Sequence, residues 1–154
     1  MNKKLVLLLA LPLIFAFTVG AQTKSRKRPV KPKAKPAILS SGAIKTASGL
    51  TYLVTQKGTG RLPKVGETVS VHYTGMLTNG VKFDSSRDSG QAISFPLGKG
   101  RVIKGWDEGI GKLHVGDQAI LVIPSSIGYG PNGRGPIPPG ATMIFVVELV
   151  EIKE

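Results

Sequence analysis

The run Val102-Ile103-Lys104-Gly105-Trp106-Asp107-Glu108-Gly109 constrains this chain more than any other, because it holds the only tryptophan and the one clear helical period. Val102, Ile103, Trp106 and Ile110 recur at helical spacing and share an apolar face, while Lys104, Asp107, Glu108 and Lys112 fall elsewhere. The remainder of the chain reads as strand and turn. A lone short helix in such a chain has only a sheet to bury its face against. Gly105 costs that helix about 1 kcal/mol relative to alanine, so a neighbouring group is expected to come close to the backbone just ahead of the indole. On spacing alone Trp106 can be the floor of a pocket or ordinary core filling.

The strands are legible from alternation and from turn residues. Thr51 to Gln56 is β-prone and ends at Gly58-Thr59-Gly60. In Glu67 to Thr74, Val69, Val71 and Tyr73 point one way and Ser70, His72 and Thr74 the other. Asn79-Gly80 is a two-residue hairpin signal that pairs Gly75–Leu77 with Val81–Phe83 antiparallel. Ala92 to Phe95 is a further short strand. The helix stops at Lys112 to Gly116. Asp117 to Ile123 and Thr142 to Ile152 are nearly continuous in apolar character, as central or helix-covered strands are. Between them Pro124 to Gly140 forms a loop with five prolines and five glycines, which Ile127, Tyr129 and Ile137 are apolar enough to order. These elements predict an α+β fold, an antiparallel sheet curled over a single helix.

Charge divides the chain sharply. Nine of the 21 Lys and Arg precede residue 36 and all nine acids follow residue 66, so the net +12 splits into +9 in the first 36 residues and +3 beyond. The excess therefore says little about the folded part, and no nucleic-acid partner is expected. Asn2-Lys3-Lys4 followed by 15 uncharged residues from Leu5 to Val19, then Val19-Gly20-Ala21, reads as a secretory signal over 1–21 cleaved after Ala21. The run contains Pro12 and falls short of the roughly 20 residues that span a bilayer, so an uncleaved anchor is the weaker alternative. Residues 22–44 are rich in Lys, Arg and Pro and cannot bury enough apolar surface to order themselves. They read as an extended linker reaching up to roughly 70 Å, either a plain spacer or a contact to an anionic surface. The folded domain is placed at 45–154, and the destination is a bacterial periplasm. With no cysteine, disulfides, thiolate metal sites and a cysteine nucleophile are excluded.

Catalytic signatures are mostly absent. Gly98-Lys99-Gly100 lacks the third glycine of a dinucleotide fingerprint, and no run matches a phosphate loop. No nucleophile elbow surrounds Ser85, Ser86, Ser125 or Ser126. His72 and His114 have no carboxylate at metal-ligand spacing beside them, so no metal and no cofactor is expected. What remains is a set of aromatic and apolar side chains with a few polar groups, a composition that fits a binding pocket and a core equally well.

Five segments decide between those readings. Val-His-Tyr-Thr-Gly (71–75), Phe-Asp-Ser-Ser (83–86), Leu-Gly-Lys-Gly-Arg-Val-Ile-Lys-Gly-Trp-Asp-Glu-Gly (97–109), Ile-Pro-Ser-Ser-Ile-Gly-Tyr-Gly (123–130) and Ile-Pro-Pro-Gly-Ala-Thr-Met-Ile-Phe-Val-Val-Glu-Leu (137–149) follow one another as they do in FKBP-type peptidyl-prolyl cis-trans isomerases. The resemblance covers roughly 90 residues. It implies a five- or six-stranded antiparallel half-barrel wrapped around one short helix, and isomerisation of X-Pro bonds. By motif, Tyr73, Phe83, Val102, Ile103, Trp106, Tyr129 and Phe145 should line the pocket for proline, with Trp106 beneath the ring and Ile93 and Ile137 at its edge. The Ile103 N–H and the Tyr129 hydroxyl should donate to substrate carbonyls. Asp84 should form the polar rim, tied to Arg87 and the Tyr73 hydroxyl, although an aspartate there can also cap the following turn. Two departures stand out: Ile93 replaces a frequent aromatic, and Gly130 to Pro136 is one residue short, with Arg134 near a frequent histidine.

The partners so implied are proline-containing unfolded or exported polypeptides and the macrolide inhibitors of the family, met by a monomer. Two functions of different classes stay open on the residues. One is an enzyme that speeds prolyl isomerisation in exported chains. The other is a binding module that holds Pro-containing segments without useful turnover, recruited to a surface by the basic linker.

Overall fold

The computed structural model describes residues 42–153. The expected signal (1–21) and nearly all of the expected linker lie outside the described residues. The described residues form seven strands, one α-helix and a 3-10 turn at Ser125–Ile127: β1 Ile44–Lys45, β2 Thr51–Gln56, β3 Thr68–Leu77, β4 Lys82–Ser85, β5 Ile93–Pro96, α1 Lys104–Ile110, β6 Gln118–Ile123 and β7 Met143–Lys153. All strand pairings are antiparallel, in the order β1-β2-β6-β7-β3-β4, with β5 beside β3. The seventh strand, β1, is added at the margin to the five or six expected. β1 is two residues long, and its Ile44, which composition assigns to the linker, pairs with Tyr52.

β6 and β7 are interior to the sheet, as their apolar runs require, but only one face of each is buried. Ala119, Leu121 and Ile123 on β6, and Met143, Phe145, Val147 and Leu149 on β7, turn inward, and the residues between them are half-buried or exposed. This alternation is the period-2 geometry of a strand with one wet face. With Val69, Val71, Leu50 and Leu113 these side chains form one core. Each fully buried aliphatic contributes about 1.5–3 kcal/mol.

The hairpin between β3 and β4 is one residue longer than the Asn-Gly signal implies. The Gly80 N–H donates to the Leu77 carbonyl and the Leu77 N–H to the Val81 carbonyl, which leaves Thr78, Asn79 and Gly80 as a three-residue loop with Gly80 at φ 86°. The extra residue reappears as the register shift between Gly75 and Met76.

The helix is shorter than its apolar spacing suggests. Val102 and Ile103 precede it, and Ile103 is extended at φ −60°, ψ 148°. Their helical spacing to Trp106 arises because the extended residues and the indole border the same hollow. The expectation at Gly105 holds: a Cβ there would stand 2.7 Å from Ile123 Cγ2, and one on Gly109 2.9 Å from Leu121 Cδ1. The helix therefore lies on β6 through its glycines, and this close approach lowers Trp106 into the concave side of the sheet.

Candidate active site

Four aromatic rings surround the indole or back onto it. Tyr73 meets Trp106 edge-on at 5.0 Å and 82°, Phe145 does so at 5.3 Å and 86°, and Phe95 lies tilted at 5.8 Å. Phe83 in turn meets Phe145 at 5.6 Å and 84°. Edge-to-face pairs of this kind add about 0.5–1.5 kcal/mol each beyond area burial and fix ring orientation. β3 brings Tyr73, β4 Phe83, β5 Phe95 and β7 Phe145, so the wall depends on the sheet register. Gly75 makes the wall possible, since a Cβ there would come within 2.7 Å of the Phe83 ring and 2.8 Å of the Phe145 ring.

Above this floor is a cup of about 380 Å³ lined by Tyr73, Phe83, Asp84, Ile93, Gly100, Arg101, Val102, Ile103, Trp106, Tyr129, Arg134 and Phe145. An adjoining hollow of about 440 Å³ shares Phe83, Asp84, Tyr129 and Arg134 and adds Gly135, Pro136 and Ile137. Trp106 is only 4% exposed, and its indole N–H has no hydrogen-bond partner among the described residues. The floor is therefore apolar apart from this one buried, unpartnered donor.

The hydrogen-bonded polar groups stand at the rim. The Tyr73 hydroxyl donates to Asp84 Oδ2 at 2.5 Å. Burial, and then the bond to Asp84 and its charge, push the Tyr73 pKa well above the ordinary tyrosine range, so the hydroxyl stays protonated. The Asp107 carboxylate accepts the Gly98 and Gly100 N–H groups at 2.9 and 3.0 Å and so holds the 98–103 strap against the start of α1. Among the described residues the Ile103 N–H and the Tyr129 hydroxyl donate to no protein acceptor, while the Ile103 carbonyl receives the Trp106 and Asp107 N–H groups. Ile103, which lines the cup together with Trp106, thus carries an unpaired backbone donor.

Of the residues expected from sequence, Tyr73, Phe83, Asp84, Ile93, Val102, Ile103, Trp106, Tyr129 and Phe145 line the cup and Ile137 lines the adjoining hollow. Arg87 does not. Its guanidinium donates to Glu148 on β7 at 2.5 Å, which corrects the expected tie to Asp84: the β3–β7 register brings Glu148 within reach, and Arg87 is spent there. His72 is likewise away from the cup, with Nδ1 3.0 Å from the Ser86 hydroxyl. Sequence reasoning missed Arg101 and Gly100 on the rim, Gly75 behind the wall and Asp107 under the strap. Only Gly75, a glycine inside a strand pattern, carried a signal, that of a close approach.

The geometry is that of an aromatic cup with most of its polar groups at the edge. The comparisons name the class. The family model for FKBP-type peptidyl-prolyl cis-trans isomerases matches residues 59–150. "FK506-binding protein 1" of Dictyostelium discoideum is 50% identical over 106 residues, covering 68% of this chain and 99% of that protein. The FKBP-type isomerase FkpA of Aeromonas hydrophila is 47% identical over 113 residues, covering 73% of this chain but only 41% of FkpA. The crystal structure of FkpA from Escherichia coli superposes with a TM-score of 0.69 at 41% identity, over 73% of this chain and 52% of that one. This chain belongs to the FKBP-type family and is a peptidyl-prolyl cis-trans isomerase.

Proposed function

We propose that the cup accelerates X-Pro isomerisation in exported polypeptides by receiving the proline over Trp106 and holding the twisted amide with the Ile103 N–H and the Tyr129 hydroxyl. The observation that carries this is an aromatic cup floored by Trp106 whose lining includes the Ile103 backbone N–H, which among the described residues has no protein acceptor. Amide resonance sets a barrier of about 18–20 kcal/mol, and uncatalysed exchange takes tens to hundreds of seconds. Water favours the planar, more polar amide. Phe83, Trp106 and Phe145 remove that preference, and fixed donors favour the twisted carbonyl. A thousandfold acceleration needs about 4 kcal/mol of such preference, within reach of desolvation plus one or two oriented hydrogen bonds. Asp84 holds Tyr73 in place, and Val102, Ile93 and Ile137 shape the edge.

The exported destination rests on the positive start, the 15-residue apolar run and the small residues ending at Ala21. The basic linker spaces a monomeric domain from the membrane face or touches its phosphates. FK506, after which the Dictyostelium discoideum relative is named, occupies the same cup and blocks turnover, with affinity set by Ile93 at the rim. The test is NMR exchange of cis and trans peptide signals with and without FK506. Acceleration abolished by the macrolide is expected, and binding of peptide without acceleration would overturn the catalytic reading in favour of a holding module. Amino-terminal sequencing of protein recovered from the periplasm should begin at Gln22.

A further inference from the structure

We propose that the cup prefers X-Pro segments with a carboxylate side chain next to the proline, read by Arg101 and Arg134. This rests on the isomerase reading and narrows its substrate class. The described residues contain four arginines. Arg61 is paired with Glu67 and Arg87 with Glu148. The other two are the two that line the cup, and among the described residues neither has a carboxylate within ion-pair distance. The cup's one acid, Asp84, is engaged by the Tyr73 hydroxyl.

Both guanidinium groups are carried on fixed backbone. Arg134 exchanges two 2.9 Å backbone hydrogen bonds with Ile137, lies 5.8 Å over the Tyr129 ring, and lines both the cup and the adjoining hollow. Arg101 belongs to the strap that Asp107 clasps. Successive Cα atoms are about 3.8 Å apart, so the residue on either side of a proline seated over the indole falls within the reach of an arginine side chain. A concave apolar surface strengthens the potential of charges at its mouth, and a guanidinium matches a carboxylate in shape and hydrogen bonding. An exposed pair of this kind is worth about twofold to fivefold in affinity, so the two arginines together favour an acidic substrate by roughly fivefold to tenfold.

The test compares Glu-Pro with Gln-Pro and Pro-Glu with Pro-Gln in otherwise identical peptides, by NMR exchange, which needs no coupling protease of its own charge preference. The expected result is a Glu/Gln ratio in kcat/KM of about fivefold or more on at least one flank, carried by KM and shrinking toward one as salt rises. Arg134→Gln and Arg101→Gln each lower the ratio and the double variant erases it, while Arg134→Lys keeps most of it. Since the double variant retains the basic linker, general attraction of acidic peptides is separated from the rim. Equal turnover of Glu and Gln peptides on both flanks, or a ratio surviving in the double variant, would overturn the preference alone. If no peptide of the series is accelerated, the isomerase reading fails and takes the preference with it.

Discussion

Gly75→Ala isolates the link between sheet and site, because it adds one methyl behind the aromatic wall and touches nothing at the mouth. The new Cβ would stand 2.7 Å from Cε2 and Cζ of Phe83 and 2.8 Å from Cε1 of Phe145, where carbon contacts need at least about 3.5 Å. Both rings must therefore withdraw by about 0.7–0.8 Å, and both line the cup. Overpacking of this kind costs about 1–3 kcal/mol. Alanine returns part of that, about 0.4–1 kcal/mol, by restricting the unfolded chain. A net loss of about 1–2 kcal/mol lowers Tm by roughly 4–10 °C, which leaves the protein folded at 25 °C. Turnover suffers more, since displacement of binding groups by nearly 1 Å costs on the order of tenfold to a hundredfold. Calorimetry and NMR exchange on the same sample read both quantities. An unchanged Tm with wild-type kcat/KM would refute the claim that Gly75 is there to let Phe83 and Phe145 close the wall.

Tyr73→Phe removes the bond to Asp84 and should cost about 1 kcal/mol of stability near neutral pH. Because the folded protein holds the Tyr73 proton more tightly than the unfolded chain, whose tyrosine value is 10.0, this contribution is complete below that pH and fades above it. The gap in chemical-denaturation stability between wild type and Tyr73→Phe should accordingly narrow above pH about 10, and turnover should show no step attributable to Tyr73 between about pH 7 and 9. Asp107→Ala leaves the Gly98 and Gly100 N–H groups without their acceptor, at a cost of about 1–3 kcal/mol. Faster amide exchange at those two glycines and a raised KM are the expected readouts. Arg87→Ala should cost under about 1 kcal/mol, as exposed ion pairs do, and leave kcat within error, because its partner is Glu148 and it does not border the cup.

Much of the molecule was legible in local pattern. Period-2 alternation located β3, and the apolar runs located β6 and β7 in the sheet interior, because strand pairing follows from which faces must be buried. What failed depended on contacts between segments distant in sequence. Val102 and Ile103 keep helical spacing to Trp106 while their backbone is extended, and spacing alone cannot distinguish a helix face from two elements bordering one hollow. Arg87 is three residues from Asp84 but finds Glu148, 61 residues away, through a register that no local motif encodes. Arg101 carried no role in the sequence reading and Arg134 entered it only as a departure near a frequent histidine, since nothing in their neighbours announces that both line the cup.

The strand that ties these observations together is β3. It pairs with β7 along its whole length, with β5 through its first half and with β4 through its second. Its inward residues serve first the core, at Val69 and Val71, and then the cup, at Tyr73 and Gly75. The same hydrogen-bonded ladder therefore stabilises the fold and sets the spacing of the aromatic walls. Ser85 and Ser86 reinforce it where β4 joins: both hydroxyls bond the Tyr73 carbonyl, and Ser86 also accepts the Tyr73 N–H at 2.8 Å. A site built on paired strands is held more firmly than one built on loops; here the aromatic walls are strand-borne, and the 98–103 strap and the 124–142 loop carry the rim, Ile103 and Tyr129 included. The paired strands thus hold the aromatic walls, whereas the two donors proposed for the amide, the Ile103 N–H and the Tyr129 hydroxyl, and the two arginines proposed to choose the substrate are carried by loops whose substitution leaves the ladder intact.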